Sequence, residues 1–307
     1  MVSSASARRV TAFAIGGPTA SGKSAVALEL AEQFGFEIVS ADAMQVYRGL
    51  DVGTAKPTLE ERTRVLHHMI DVVPASSRFS VADWVVGAED AILEAFRRGV
   101  TCLVVGGTGF YLDALARGLP TTPAADEAVQ AVLYERLEQE GLDVLVASLE
   151  AKAPLDAMRA ARNPRRVIRA LEVLERSGKP PSAFDLRPPR VSVQRVWLVP
   201  SMGALDPRIE ARAKNMLAEG LVEEAAGLDS ISLATASQAI GYREAAAVAR
   251  GELSFDEAYR AIVMATRQYA KRQRTWFQGH EAEWMYPNLA TEVQDALASW
   301  LAGARSH

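Results

Sequence analysis

The sequence predicts an α/β fold: a mainly parallel sheet covered by helices, with a helical lobe inserted into the chain. Three observations carry that prediction. Short apolar runs alternate with helical stretches and Gly-rich turns over residues 10–123, a purely helical pattern takes over from residue 126, and an apolar run returns at residues 196–199 (VWLV). Ligands of such a fold collect at the carboxyl ends of the strands.

The first element, residues 10–15 (VTAFAI), has the length and apolarity of a buried strand, and residues 24–34 have a helical pattern. Between them lies GPTASGKS, residues 17–24, which fits G-x-x-x-x-G-K-[ST] and specifies a phosphate cradle. Gly17 and Gly22 let the backbone turn tightly around Pro18, Thr19, Ala20 and Ser21, while the helix that follows adds the positive end of its dipole. Lys23 is placed to neutralise terminal phosphates and the Ser24 hydroxyl to ligate Mg²⁺.

A second strand is expected at residues 37–40, and IVSAD (38–42) sets the Asp42 carboxylate just beyond it. That position suits a general base beside a bound diphosphate, and it also suits a helix N-cap. The third strand, residues 102–105, ends in Gly106, Gly107, Thr108 and Gly109 rather than in the acidic residue that P-loop hydrolases use for Mg²⁺. A hydrolase is therefore disfavoured. Cys102, the single cysteine, lies in the apolar run TCLVV and reads as a buried small side chain.

From residue 126 to 177 the pattern is helical and stops at a Gly-Lys-Pro-Pro breaker, residues 178–181. The chain then returns to the sheet at 196–199 and is expected to be helical from Pro207 to the end. This divides it into a first core part (10–125), an inserted helical lobe (126–195) and a core return with C-terminal helices (196–307). At 307 residues and 49% hydrophobic composition there is material for a large core, no segment is apolar enough to span a membrane, and the cytoplasm is the expected location. A net charge of −4 excludes a surface that is basic all over, so any nucleic acid must meet a local patch. Residues 158–190 and 267–274 are both rich in Arg and Lys, the second running into Trp276 and Phe277. Each is either such a patch or a solvated helix face. His67 and His68 have no Cys or carboxylate partner at ligand spacing and read as structural.

These motifs, in this order, resemble the bacterial tRNA dimethylallyltransferases (tRNA isopentenyltransferases). The resemblance runs through GPTASGKS (17–24), SADAMQVYRGLDVGTAKPT (40–58), HHMIDVV (67–73), GGTGFYL (106–112), NPRRVIRALEV (163–173), AIGYRE (239–244) and QYAKRQRTWF (268–277), covering nearly the whole chain. Three positions depart from the family pattern: Ala43 stands where Ser is frequent, Arg165 where Gln is usual, and Arg274 where an aliphatic residue is common.

The resemblance implies a P-loop NTPase-like core and transfer of a dimethylallyl group from its diphosphate to N6 of the adenosine next to the tRNA anticodon. It assigns catalysis to Asp42, Lys23 and Thr108. Diphosphate and Mg²⁺ fall to the loop from Gly17 to Ser24, with Arg208 and Arg212 as candidates for the outer oxygens or as a solvated helix face. Contacts to the tRNA anticodon stem-loop fall to Asp42, Ala43, Met44, Gln45, Thr108, Arg165, Arg166, Arg169, Gly241, Tyr242, Arg243, Lys271 and Arg272, in an enzyme expected to be monomeric. A P-loop small-molecule kinase shares the loop and the base but has no use for a basic inserted helix. An enzyme prenylating free adenine nucleotides would lack the RNA grip.

Overall fold

The computed structural model describes residues 10–304; the last three residues of the expected third segment lie outside them. The described residues divide into two compact units, one formed by 10–116 with 189–304 and the other by 117–188.

The first unit opens with β1 (Thr11–Gly16), α1 (Lys23–Phe34), β2 (Glu37–Ser40), β3 (Tyr47–Arg48), α2 (Leu59–Arg64), β4 (His67–His68), β5 (Val73–Pro74), α3 (Val81–Arg97), β6 (Cys102–Gly106) and α4 (Gly109–Arg117). The second holds β7 (Leu119–Pro120), α5 (Glu127–Glu140), α6 (Leu142–Lys152), α7 (Pro154–Ala160), α8 (Pro164–Ser177) and β8 (Leu186–Arg187). The chain returns to the first unit with β9 (Ser192–Leu198), α9 (Met202–Ala218), α10 (Leu221–Ala226), α11 (Ser230–Ala236), α12 (Tyr242–Ala249), α13 (Phe255–Gln278), β10 (Trp284–Tyr286) and α14 (Gln294–Ala304).

Six strands form one sheet in the order β10-β9-β1-β6-β2-β4, and every neighbouring pair is parallel. Burial on both faces explains the near-continuous apolar runs of β1 and β6. Phe13, Ile15, Leu103, Val196 and Leu198 form one core cluster with α1 and with Leu297 and Trp300 of α14. Gly16 pairs with Gly106 on one side and with Trp197 on the other, so the carboxyl ends of β1, β6 and β9 lie abreast. With β6 between β1 and β2, the loop after β6 is flanked by the phosphate loop and by the loop that carries Asp42.

Two sequence expectations are corrected. The return strand begins at Ser192, four residues before the apolar run at 196, because β9 follows β1 over its full length. The C-terminal region is not helical throughout: Trp284–Tyr286 forms the sheet edge, three residues being too few to show a period of two. The strand His67–His68 extends the other edge, where His68 pairs with Glu37 at 2.7 Å and His67 Nδ1 lies 2.7 Å from the Val65 carbonyl, so both histidines have structural partners. Cys102 is buried, and burial pushes its thiol up to about 12, far from a reactive thiolate.

The glycines at the strand ends are dictated by what packs on them. A Cβ on Gly106 would lie 2.0 Å from the Ala41 carbonyl oxygen, a backbone atom that cannot swing away. Gly106→Ala should therefore destabilise the protein by roughly 1–3 kcal/mol or more, measured by denaturant unfolding. On the other face α13 presses in. A Cβ would lie 2.6 Å from the Phe277 ring at Gly16 and 2.2 Å from Trp276 at Gly109.

The second unit is helical, with Leu133, Leu145, Leu149, Val167, Ile168 and Leu171 at its centre. Asn163 caps α8 through its side chain with Pro164 at the first helical position, and Gly178 ends the helix at φ 70°. The fully buried carboxylate of Glu172 accepts from the Asp126 N–H at 2.6 Å and Gln130 Nε2 at 2.8 Å and pairs with Arg169 at 2.9 Å.

Candidate active site

The phosphate loop leaves β1 and enters α1 with Ala20 at φ 63° and Gly22 at φ 83°, the left-handed turn that aims successive N–H groups at one point. Arg208, from α9, donates through Nε to the Ala20 carbonyl at 2.8 Å, and its Nη2 lies 3.1 Å from where a Gly22 Cβ would stand. Lys23 Nζ donates to the Pro18 carbonyl at 3.2 Å, folded back across the loop. Burial and the neighbouring Arg212 guanidinium lower Lys23 to about 8, against the pull of Asp42. Burial likewise lowers Arg212, again opposed by Asp42. Two cations and one carboxylate thus share a field beside the phosphate loop.

The two cations open into a cavity of about 790 Å³ that is also lined by Gly22, Ser24, Arg208 and residues of the 51–59 segment. That segment is held from below. Lys56, buried, donates to the Tyr47 carbonyl at 2.8 Å and pairs with Asp51 at 2.5 Å and Asp71 at 2.7 Å, and Arg62 pairs with Asp71 at 2.6 Å. Burial pushes Asp71 up, but the hydrogen bonds from Lys56 and Arg62 hold it below its ordinary value. The Glu224 carboxylate accepts the backbone N–H groups of Asp51 (2.9 Å), Val52 (2.8 Å) and Gly53 (3.2 Å), and the Tyr242 hydroxyl donates to the same carboxylate.

Asp42 follows β2, with β6 between it and the phosphate loop. Its Oδ1 accepts from the N–H groups of Met44 at 2.8 Å and Gln45 at 3.4 Å, so one oxygen closes a turn; no helix follows it, so Asp42 is not the helix N-cap that its position also suits. Thr108 holds this turn against β6: its N–H donates to the Ala41 carbonyl at 3.1 Å and its Oγ1 accepts from the Ala43 N–H at 3.2 Å. Gln45, expected among the tRNA contacts, accepts from Ser40 Oγ at 2.8 Å and donates to the carbonyls of Thr54 (3.2 Å) and Ala55 (3.3 Å), which uses its amide inside the protein.

The structure separates the expected RNA contacts. Lys271 and Arg272 are exposed on α13, with Arg272 over the Tyr269 ring at 5.8 Å from its centroid. Arg165, Arg166 and Arg243 are exposed as well. Three others are corrected. Tyr242 is completely buried, with its ring against Gly53 and its hydroxyl on Glu224, so it packs the loop instead of facing a nucleic acid. Gly241 caps the start of α12 at φ 107°, beside Leu221 and Ile262. Arg169 turns inward to Glu172, Thr122 and the Pro123 carbonyl, because its place in α8 borders the apolar face rather than opposing it. Phe277 is fully buried and Trp276 stacks on His280 with ring centroids 3.6 Å apart, so neither is a free stacking platform.

Four residues of the site were not singled out from the sequence. Lys56 and Glu224 brace the cavity wall, Tyr269 shares the field of Asp42 and Arg212, and Gln273 joins two loops. Gln273 and Tyr269 stand within the motif QYAKRQRTWF, where nothing local separates them from the neighbouring cations.

The geometry is matched by known proteins. The family model described as IPP transferase matches residues 45–280, and the one described as isopentenyl transferase matches residues 10–71. The chain is 47% identical to the tRNA dimethylallyltransferase of Thermus thermophilus, covering 94% of this chain and 96% of that one. It is 48% identical to that of Deinococcus radiodurans, covering 92% of each. Among solved structures it is similar to the tRNA isopentenylpyrophosphate transferase of Bacillus halodurans, at a TM-score of 0.68 and 34% identity over 96% of each chain. A eukaryotic dimethylallyltransferase acting on tRNA superposes at a TM-score of 0.74 and 26% identity over 95% of this chain and 77% of that one. The α/β core is P-loop NTPase-like, as the motif and the parallel sheet require. The chain belongs to the tRNA dimethylallyltransferase family.

Proposed function

We propose that this chain transfers the dimethylallyl group of dimethylallyl diphosphate to N6 of the adenosine beside the anticodon of tRNA and releases diphosphate. The observation that carries the reading is that Lys23 and Arg212 line one cavity with the phosphate loop while the Asp42 carboxylate acts on both: cations for a diphosphate and a carboxylate for an incoming amine.

In this reading the C1–O bond to the diphosphate breaks, the N6–C1 bond forms, and the N6 proton passes to Asp42. The amine lone pair is delocalised into the adenine ring, so a carboxylate within hydrogen-bond reach assists as the new bond forms. The loop from Gly17 to Ser24, with Lys23, Arg208 and Arg212, stabilises charge building on the leaving group rather than delivering a phosphoryl group. Thr108 keeps the Asp42 turn in place, and the exposed Arg165, Arg166, Lys271 and Arg272 would meet the RNA backbone.

Mg²⁺ fits the donor set. The Ser24 hydroxyl lines the cavity at the first turn of α1, and among the described residues no group of three or more His, Cys, Asp or Glu could hold a metal unaided. An ion that keeps waters and takes phosphate oxygens suits such a site. When bound it supplies charge neutralisation of the diphosphate. The reading places the protein in the cytoplasm as a monomer; among the described residues no helix is long and apolar enough to cross a membrane.

The test is incubation with radiolabelled dimethylallyl diphosphate and unmodified tRNA, followed by digestion to nucleosides. Label in a modified adenosine is the expected result; label confined to free adenine nucleotides, or absent from RNA, overturns the reading. The basic face of α8 is tested separately. Arg166→Ala leaves the Arg169–Glu172 network untouched, and should raise the KM for tRNA and lower the slope of log K against log salt by about one unit if it grips a phosphate. A salt titration overlaying that of the parent makes α8 a solvated helix face.

A further inference from the structure

We propose that Gln273 is a positioning residue for the transfer reaction: its single side-chain amide fixes the phosphate loop and the acceptor-side loop at one separation. The proposal rests on the reading that the leaving group occupies the phosphate loop and that the acceptor meets Asp42.

Gln273 is buried on the inner face of α13. Its Oε1 accepts the Thr19 N–H at 2.8 Å, and its Nε2 donates to the Gly107 carbonyl at 2.9 Å. These partners leave no choice of amide orientation, since an N–H must meet the oxygen and a carbonyl the nitrogen. Gly107 is followed by Thr108, whose N–H donates to Ala41 and whose Oγ1 accepts from Ala43, the two residues that flank Asp42. Four hydrogen bonds thus lead from the phosphate loop to the residues on either side of Asp42, and the first two are made by one rigid amide.

The surroundings keep that amide in place. A Cβ on Gly107 would lie 2.4 Å from Gln273 Nε2, so a side chain there would have to displace the amide. One turn further, Trp276 closes on Gly109 and Phe277 on Gly16, which sets the depth of α13 against the start of α4 and the end of β1. A polar side chain among Ile262, Ala270 and Phe277 on a buried helix face is costly unless both its ends are used, and here both are. Tyr269, one turn back on the same helix, lies in the field of Asp42 and Arg212 beside Gln273.

Gln273→Glu and Gln273→Met are close to the parent in shape and differ in hydrogen bonding. The carboxylate of Q273E accepts from Thr19 but faces the Gly107 carbonyl without a proton; the neutral acid restores the donor, and burial favours that form. Relative to the parent at each pH, the kcat of Q273E should be low at pH 8 and recover about tenfold by pH 6. Q273M, with neither donor nor acceptor, should lose up to about 10²-fold in kcat at both pH values. Calorimetric binding of inorganic pyrophosphate should change much less in either variant, since the amide touches the back of the loop. A Q273E-to-parent ratio that is flat with pH, or a Q273M with parental kcat, overturns the proposal. If Q273M does not fold, the pH ratio of Q273E decides alone. A parent that puts no label into tRNA is a failure of the functional reading instead, and is seen before any variant is compared.

Discussion

Replacing Asp42 by Asn should lower turnover roughly 10²- to 10⁴-fold, the usual worth of a positioned base, while the protein stays folded and still binds dimethylallyl diphosphate. Asn is the informative substitution because Asp42 Oδ1 also closes the turn through Met44 and Gln45, and an amide oxygen preserves that acceptor. Asp42→Ala removes both roles, so it should be at least as slow and somewhat less stable. Single-turnover rates with saturating tRNA separate the two variants. Near-parental turnover in Asp42→Asn would take the carboxylate out of the chemistry and leave it a turn residue.

Replacing Lys23 should have the next largest effect, and its pH dependence has a definite sign. Lys23 titrates near 8 in the folded protein against an ordinary 10.5, because burial and Arg212 disfavour its charge. At pH 7 the side chain is charged and meets the diphosphate; as pH rises through 8 the charge is lost and diphosphate affinity should fall. Lys23→Met should bind dimethylallyl diphosphate at least tenfold more weakly at pH 7, the size of one lost charge-assisted contact, and should lose that pH dependence. Without ligand the effect on stability is opposite. Between about 8 and 10.5 the unfolded chain holds a proton that the folded chain has released, so parental stability rises with pH in that window, and below it the cost of the buried charge is complete. Lys23→Met should therefore melt higher than the parent at pH 7 with no ligand present, and the gap should close toward pH 10.5. Affinity for tRNA should be unchanged; a collapse of tRNA binding would mean that Lys23 serves the RNA side of the site.

Much of this arrangement was legible in the sequence because local signals and tertiary demands coincide. The phosphate loop is a local motif whose glycines, helix start and lysine all lie within residues 17–24, so strand, turn and helix could be placed together. The parallel core was legible because strands buried on both faces are continuous apolar runs. Short edge strands were not: Trp284–Tyr286 is only three residues long, and its pairing with β9 is decided by tertiary contact. The polar residues at long range were hidden for a related reason. Gln273 stands 254 residues from Thr19, and nothing in its neighbourhood distinguishes a buried amide from a solvated one. Tyr242 and Arg169 show the converse. Their motifs placed them near function, but Tyr242 packs beneath the loop that walls the cavity, and Arg169 braces the buried Glu172. A motif marks residues that a family uses, without saying whether they meet substrate or hold those that do.

The central claim is that the phosphate loop holds a departing diphosphate and not a phosphoryl donor. Dimethylallyl diphosphate carrying ¹⁴C in the prenyl chain and ³²P in the diphosphate tests it directly in one incubation with unmodified tRNA. The account predicts that ¹⁴C enters the RNA while an equal amount of ³²P appears as inorganic pyrophosphate, with no ³²P in RNA. Appearance of ³²P in the RNA, or of labelled orthophosphate as the primary product, would contradict it and make the loop the seat of phosphoryl transfer or hydrolysis.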